Sequence, residues 1–429
     1  MIRRYGLRLA ALTLAVSLAI VAAACGGGGD ETKKGTGTVT VLSLWGGSEQ
    51  EAFQKVLTAF TQKTGIKTKY ESARDFLPVI RSRLAAGNPP MVAIIPRPGI
   101  VSDLANEGSL ISLDDLGLDS GAINENYGEA WTNLTTVDGT VYGVVAKANS
   151  KSVVWYRPDD SAVKPVETWD ELVALTKKLT PDKMKPWAVG AKDSWTLTDW
   201  FENIYARTAG PDKYNQLFGG KLTFEDQSVK DALKMMTDVL NNNTIAGGVD
   251  GALGTKFPDA IGKVYSPNPS AHLFMEGGFV GGIALSDVNP NRKPGKDIDF
   301  FEFPTIEQSA GSPLVGGGDI TAAFVNNEDV KKLVEYLSSP EAGKIWVSTG
   351  AIVSPNKAVT DEAYPNPLVK KEAQQVKNAE TFVFDGSDLL PGALGEDWGT
   401  VLQTVLKDPS KIDAELKGFQ TQAKDAFAG

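Results

Sequence analysis

The segment KDSWTLTDWFENIY, residues 192–205, gathers two tryptophans and a tyrosine among acids, an amide and hydroxyls, in a chain that is only 8% aromatic. Flat rings bring contact area at little rotamer cost, and carboxylates make the stronger, charge-assisted hydrogen bonds. Together they suit a flat, polar molecule, with rings on its faces and acids along its rim. Part of the segment has a plainer use. Asp199 and Glu202 have the D-x-x-E spacing of a helix N-cap and its N3 partner, and Phe201, Ile204 and Tyr205 then form a buried stripe. Trp195 falls in the loop ahead of that predicted helix and is the candidate ring, with Trp200 beside it and Asp199 as the nearest acid.

Catalysis finds less support. His272 is the only histidine, which removes His-based triads and clustered zinc ligands. In PSAHLFMEGG it reads as a packed strand residue. The chain has 53 carboxylates, yet no spacing singles out the pair, about 5 to 10 Å apart, that a glycosidase needs. GGGD, residues 316–319, reads as a glycine-rich turn, but it lacks the Lys and Ser or Thr of a phosphate loop. Its glycines let backbone approach a ligand, and Asp319 would then reach a hydroxyl. Neither a cofactor nor a metal is expected.

Elements that could position these residues follow from periodicity. TVTVLSLW (38–45) reads as a buried strand running into a helix with Phe53, Val56, Leu57 and Phe60 on one face and Gly65 at its stop. IKTKYES, a helix around 76–86, and MVAIIP follow, the grammar of a parallel α/β sheet. Ligands of such sheets sit beyond the carboxyl ends of the strands. That rule selects Trp45 and Glu49, Arg74 and Asp75, and Arg97 between two prolines. The middle of the chain repeats the grammar. Two strand runs, 141–146 and 152–156, are joined through KANSK and followed by the helix of ETWDELVALTKKLT and a short strand at PWAVGA. Two α/β units in series imply two lobes around a cleft.

The N-terminus fixes the compartment. Arg3, Arg4 and Arg8 precede an apolar run, 9–24, and VAAAC, the layout of an export signal with a cleavage site. The run is too short for a comfortable membrane span. Cys25 is the only cysteine, and the segment resembles a bacterial lipoprotein signal, which implies that Cys25 is lipidated as the mature N-terminus, with residues 1–24 as signal and 25–37 as a glycine-rich tether. A plain signal peptide is the alternative. The chain carries −10, and cleavage before Cys25 would leave about −13. Such acidity argues against nucleic acid as a partner. Beyond the tether there are no repeats of the kind an adhesive surface protein shows.

The ordered set LWGGSEQEAFQKVLTAFTQKTG, VVWYRPD, TWDELVALTKKL, TDWFENIYARTAGPDKY, VGGGDITAAF and EYLSSPEAGKIWVSTGAIVSPNK resembles the extracellular solute-binding proteins of carbohydrate ABC transporters. It is most similar to the maltose-binding-like family 1, in its α-glucoside branch, over nearly the whole mature chain. The resemblance implies a periplasmic-binding-protein-like α/β fold whose two lobes are joined by three crossings. Lobe 1 would be 38–147 with 279–325, and lobe 2 would be 148–278 with 326–429. Trp195 and Trp398 correspond to positions where that family stacks sugar, and Glu49 lies in a turn that supplies polar contacts. Lys147 stands where the maltose-binding protein has an acid, so its hydrogen-bond pattern must differ here. A pyranose, with apolar C–H faces and a hydroxyl rim, suits these residue types.

The implied function is capture of an oligosaccharide by hinge closure and delivery to the permease subunits. The protein would be a monomer, held outside the cytoplasmic membrane by its N-terminal lipid alone. Alternatives are a binding protein for a polyamine or peptide, or a secreted glycoside hydrolase.

Overall fold

The computed structural model describes residues 34–428; the signal, Cys25 and most of the tether lie outside the described residues. Strands β1 (Thr38–Ser43), β2 (Lys67–Ser72) and β3 (Val92–Ile95) run parallel, connected by helices Gly47–Thr64 and Phe76–Ala85. Gly65 ends the first helix in the left-handed conformation, φ 75°, where a side chain would be strained. A small hairpin, β4 (Thr136–Val137) and β5 (Thr140–Val141), precedes β6 (Gly143–Ser150). The remaining strands are β7 (Val153–Tyr156), β8 (Lys185–Ala188), β9 (Ala271–Met275), β10 (Asp299–Glu302), β11 (Leu314–Ala323) and β12 (Phe382–Phe384).

They form two principal sheets. The first has the order β12-β11-β3-β1-β2 with β6 also on β11, and the second the order β10-β7-β9-β8. Parallel pairing holds for β1 to β3, for β11 with β12 and for β8 with β9, so both sheets are mixed. β11 is antiparallel to β3 and β6, and β7 is antiparallel to both its neighbours. Both faces of each sheet are covered, and the side-chain period of two divides the inner strands between two cores, while the edge strand β2 buries no residue fully. Val39 and Val41 pack beneath helix Gly47–Thr64, whereas Leu42 packs on the other face with Ile80 and Ile100. Val154 and Tyr156 join one core of the second sheet, Val153 and Trp155 the other. Double burial is why these strands read as continuous apolar runs.

The lobe boundaries expected from sequence shift. Residues 299–302, expected in lobe 1, pair with β7 in the second sheet. Residues 330–347, expected in lobe 2, bury Val330, Leu333 and Trp346 in the core of the first. Strand pairing and packing, not order along the chain, decide membership. β6 extends through Lys147 to Ser150, so most of KANSK, expected as a connector, is strand. GGGD, expected as a turn, lies inside β11.

Helix Trp195–Ala209 also differs from expectation. It begins at Trp195 with Ser194 before it, so Asp199 and Glu202 are interior residues and cap nothing. Every residue from Thr196 to Arg207 is buried, the condition of a helix enclosed on all sides. The capping box is formed instead by Thr168 and Glu171 at the start of helix Trp169–Leu179. His272 is a buried residue of β9, its Nδ1 2.7 Å from Asp160.

Candidate functional site

The first lobe contributes a triad set by strand register. Lys147 of β6 lies directly opposite Asp319 of β11, and its Nζ is 3.2 Å from the Asp319 carboxylate. Glu49, in the first turn of helix Gly47–Thr64, reaches the same ammonium at 3.1 Å. The Trp45 ring lies beneath it, 4.6 Å from Nζ. Burial alone would depress the Lys147 ammonium, but Asp319 and Glu49 outweigh that and hold it above the ordinary lysine value. Burial raises the Asp319 carboxyl against the pull of that single shared cation. Two acids competing for one lysine leave lone pairs free for a hydroxyl.

The second lobe contributes a ring platform. Trp195 is 36% exposed, and its ring packs on Phe257 at 4.9 Å and on Phe279 at 6.1 Å between centroids. Behind it the Lys151 ammonium, 5.8 Å from the Trp195 ring, meets Asp199 at 3.2 Å, Asp388 at 3.7 Å and Asp385 in a tight ion pair. Burial pushes the Asp199 carboxyl up to about 7, against the opposing field of Lys151. Glu276, also buried beside Asp199, is raised by burial and by that neighbouring charge. Asp385 is held below the usual carboxylate range because Lys151, Ser387 and the Asp388 amide outweigh its burial. Glu202, raised by burial, accepts from the amides of Gly386 (2.8 Å) and Ser387 (2.9 Å). It therefore fastens the 385–388 segment to the platform helix.

One residue of each set, Glu49 and Phe279, lines a shared pocket, which Lys147, Asp319 and Trp195 do not line. Glu49 and Ser48 of the first lobe and Phe279, Gly282 and Ile283 of the second line one pocket of about 120 Å³. The lobes also touch directly. Ser48 Oγ is 3.2 Å from Asp287, Arg97 Nη2 is 3.0 Å from Glu396, and the Gly392 amide donates to Asp103 at 2.9 Å. Among the described residues, no group of three or more His, Cys, Asp or Glu is arranged to hold a metal ion.

Several candidate residues fall elsewhere. Trp45 is 1% exposed and packed edge-on against Phe53 and Trp346, so it supports Lys147 and offers no open face. Trp200 is enclosed by Trp187 and Phe303, and Trp398 by Phe201, Phe224 and Phe419. Both are core residues and correct the expectation of stacking. Arg74 and Asp75 are exposed beside the β2 end, Arg74 near Gly46, and take no part in the triad's ion pairs. Arg97 is engaged by Glu396, and Asp199 by Lys151. Lys151 and Phe279 were not among the candidates. Phe279 follows the end of β9 by four residues, and the strand-end rule applied to that strand would have found it.

Residues 46–344 match the family described as bacterial extracellular solute-binding protein. The chain is 35% identical over 393 residues to the osmoprotective compounds-binding protein GgtB of Synechocystis sp., covering 89% of this chain and 91% of that one. It is 32% identical over 385 residues, 85% and 83% of the two chains, to the alpha-glucosides-binding periplasmic protein AglE of Rhizobium meliloti. Its fold superposes on the bacterial solute receptor AcbH with a TM-score of 0.80 at 20% identity, over 92% of this chain and 100% of that one. A cleft between two α/β lobes, with polar and aromatic groups from both, and a family match across most of its length lead to one conclusion: the chain belongs to the bacterial extracellular solute-binding proteins, the capture components of ABC importers.

Proposed function

We propose that this protein captures a neutral, hydroxyl-rich solute, a carbohydrate of the α-glucoside kind, and delivers it to an ABC permease. The observation that carries this reading is the pocket to which Glu49 and Phe279, from opposite lobes, both contribute. Trp195 and Phe279 would cover an apolar C–H face, and Glu49, Asp319 and Lys147 would take the hydroxyl rim. At about 120 Å³ the pocket is smaller than the roughly 300–1,000 Å³ usual for a bound organic ligand. Entry of an oligosaccharide therefore requires the lobes to part. Contacts made by both lobes at once favour the closed arrangement, the differential affinity that hinge closure needs. The names of AglE and GgtB support an α-glucoside or an osmoprotective solute. Cys25 would anchor the monomeric protein by lipid to the outer face of the cytoplasmic membrane.

Calorimetric titration with maltose, trehalose, sucrose, glycine betaine, spermidine and a tripeptide tests this. Saturable heat with a glucoside, and no monosaccharide released, is the expected result. Binding of only spermidine or the peptide would overturn the carbohydrate assignment.

A further inference from the structure

Lys151 is the residue at which all the connections between the lobes converge. It forms, with Ser152, the link from β6 to β7, and its amide donates to Val315 at the start of β11. Its aliphatic stem crosses β11 at Gly317, where an added Cβ would stand 3.0 Å from Lys151 Cε. Its ammonium is paired with Asp385, directly after β12, where the chain leaves the first sheet for the last time. The same ammonium holds Asp199, one turn along the helix that begins at Trp195. Asn203 of that helix donates to the Lys151 carbonyl at 2.8 Å. Through its amide and its side chain this one residue thus joins its own crossing to β11, to the segment after β12 and to the helix that carries the ring platform. A lysine in this place is surrounded by more acid than it neutralises: Asp199, Asp385 and Asp388 lie within ion-pair reach, and Glu276 and Glu202 lie behind them. Removing it leaves like charges facing one another where the link from β6 to β7 meets the platform helix and the segment after β12.

We propose that Lys151 is a positioning residue that sets the balance between the open and closed arrangements of the two lobes, acting through Asp199 and Asp385 rather than through contact with the solute. The inference rests on the solute-capture reading for its consequence in binding, while its structural half needs no ligand. Loss of the cation separates the crossings and favours the open form, so the solute must then supply the energy of closing and binds more weakly.

The test places spin labels on Lys63→Cys in the first lobe and Lys234→Cys in the second, in full-length Cys25→Ser protein, and compares the distance distribution with and without the glucoside found by calorimetry. In Lys151→Met the ligand-free distribution should shift to longer distances and affinity should fall by about tenfold. Lys151→Arg, which keeps the cation, should restore both to within about threefold. Weakened binding with an unchanged ligand-free distribution would make Lys151 a solute contact and overturn the proposal, as would unchanged binding and distribution. Should Lys151→Met not fold, Asp385→Asn removes one partner while Asp199 still holds the lysine. A smaller shift in the same direction supports the proposal, and no shift overturns it. If no carbohydrate binds the parent protein, the functional reading fails, yet the ligand-free comparison still decides the role of Lys151.

Discussion

Asp319 faces Lys147 across the β6–β11 ladder one step before the register shifts, at the bulge between Asp319 and Ile320. Bulges re-aim side chains beside functional sites, and this one leaves the pair at the cleft with Glu49 as third member. Lys147 is 6% exposed. Replacing it by methionine strands two carboxylates, so Lys147→Met should lower unfolding free energy by about 3 kcal/mol or more. Urea denaturation measures this, and a loss below about 1 kcal/mol would mean the triad is solvated.

Trp195 and the two buried tryptophans should separate binding from folding. Trp195→Ala should weaken solute binding by about tenfold or more with little change in thermal midpoint, as expected of an aromatic anchor at a partly open site. Trp200→Ala and Trp398→Ala should each cost about 3–5 kcal/mol of stability, while the folded fraction keeps its affinity. The reverse pattern in calorimetry and denaturation would return the buried tryptophans to the cleft.

The glycines of β11 should resist substitution unequally. A Cβ at Gly318 would lie 2.7 Å from the Lys147 carbonyl, a backbone atom, whereas one at Gly317 meets the flexible Lys151 stem at 3.0 Å. Gly318→Ala should therefore cost about 1–3 kcal/mol, and Gly317→Ala less. Equal losses would show that the strands adjust around both.

Stability should depend on pH with a definite sign. Burial raises the carboxyls of Asp199 and Glu372 to about 7, and those of Glu202 and Glu276 also rise. Such groups keep their protons in the folded state where the unfolded chain has lost them. Their contribution is full below the ordinary carboxylate range and is lost as pH rises through about 7. Asp385, shifted downward, works the other way only as pH falls through that range, and the raised lysines matter only near and above theirs. Thermal midpoints should fall between about pH 5 and about pH 7.5. Glu372→Gln, which keeps an acceptor for the Ser150 amide, should reduce the slope. A midpoint that climbs over this interval contradicts the assignment.

Much of the fold was legible because its strands are buried on both faces and its amphipathic helices obey their period. Helix Glu328–Leu337 buries Val330, Leu333, Val334 and Leu337, the face its sequence spells out. What misled was chemistry that looks local and is not. Asp199 and Glu202 have a cap's spacing, but they serve Lys151 and the 386–387 amides, partners far along the chain. Gly316 to Gly318 have a turn's composition, yet they sit in a strand, and they are glycines there because the Phe382 ring, the Lys151 stem and the β6 backbone approach where a Cβ would stand. Trp200 and Trp398 could not be told from cleft residues, since a tryptophan's size suits a core as well as a binding face. Pairs such as Lys147 and Asp319 exist only once strand register is known.

The exposure of Trp195 has a spectroscopic meaning. At 36% it is the most exposed of the nine tryptophans, so a collisional quencher such as iodide reaches it first and its emission lies furthest to the red. A solute that settles on its ring shields it and shifts that component to the blue. The protein thus carries its own optical gauge of cleft occupancy, readable without any attached dye.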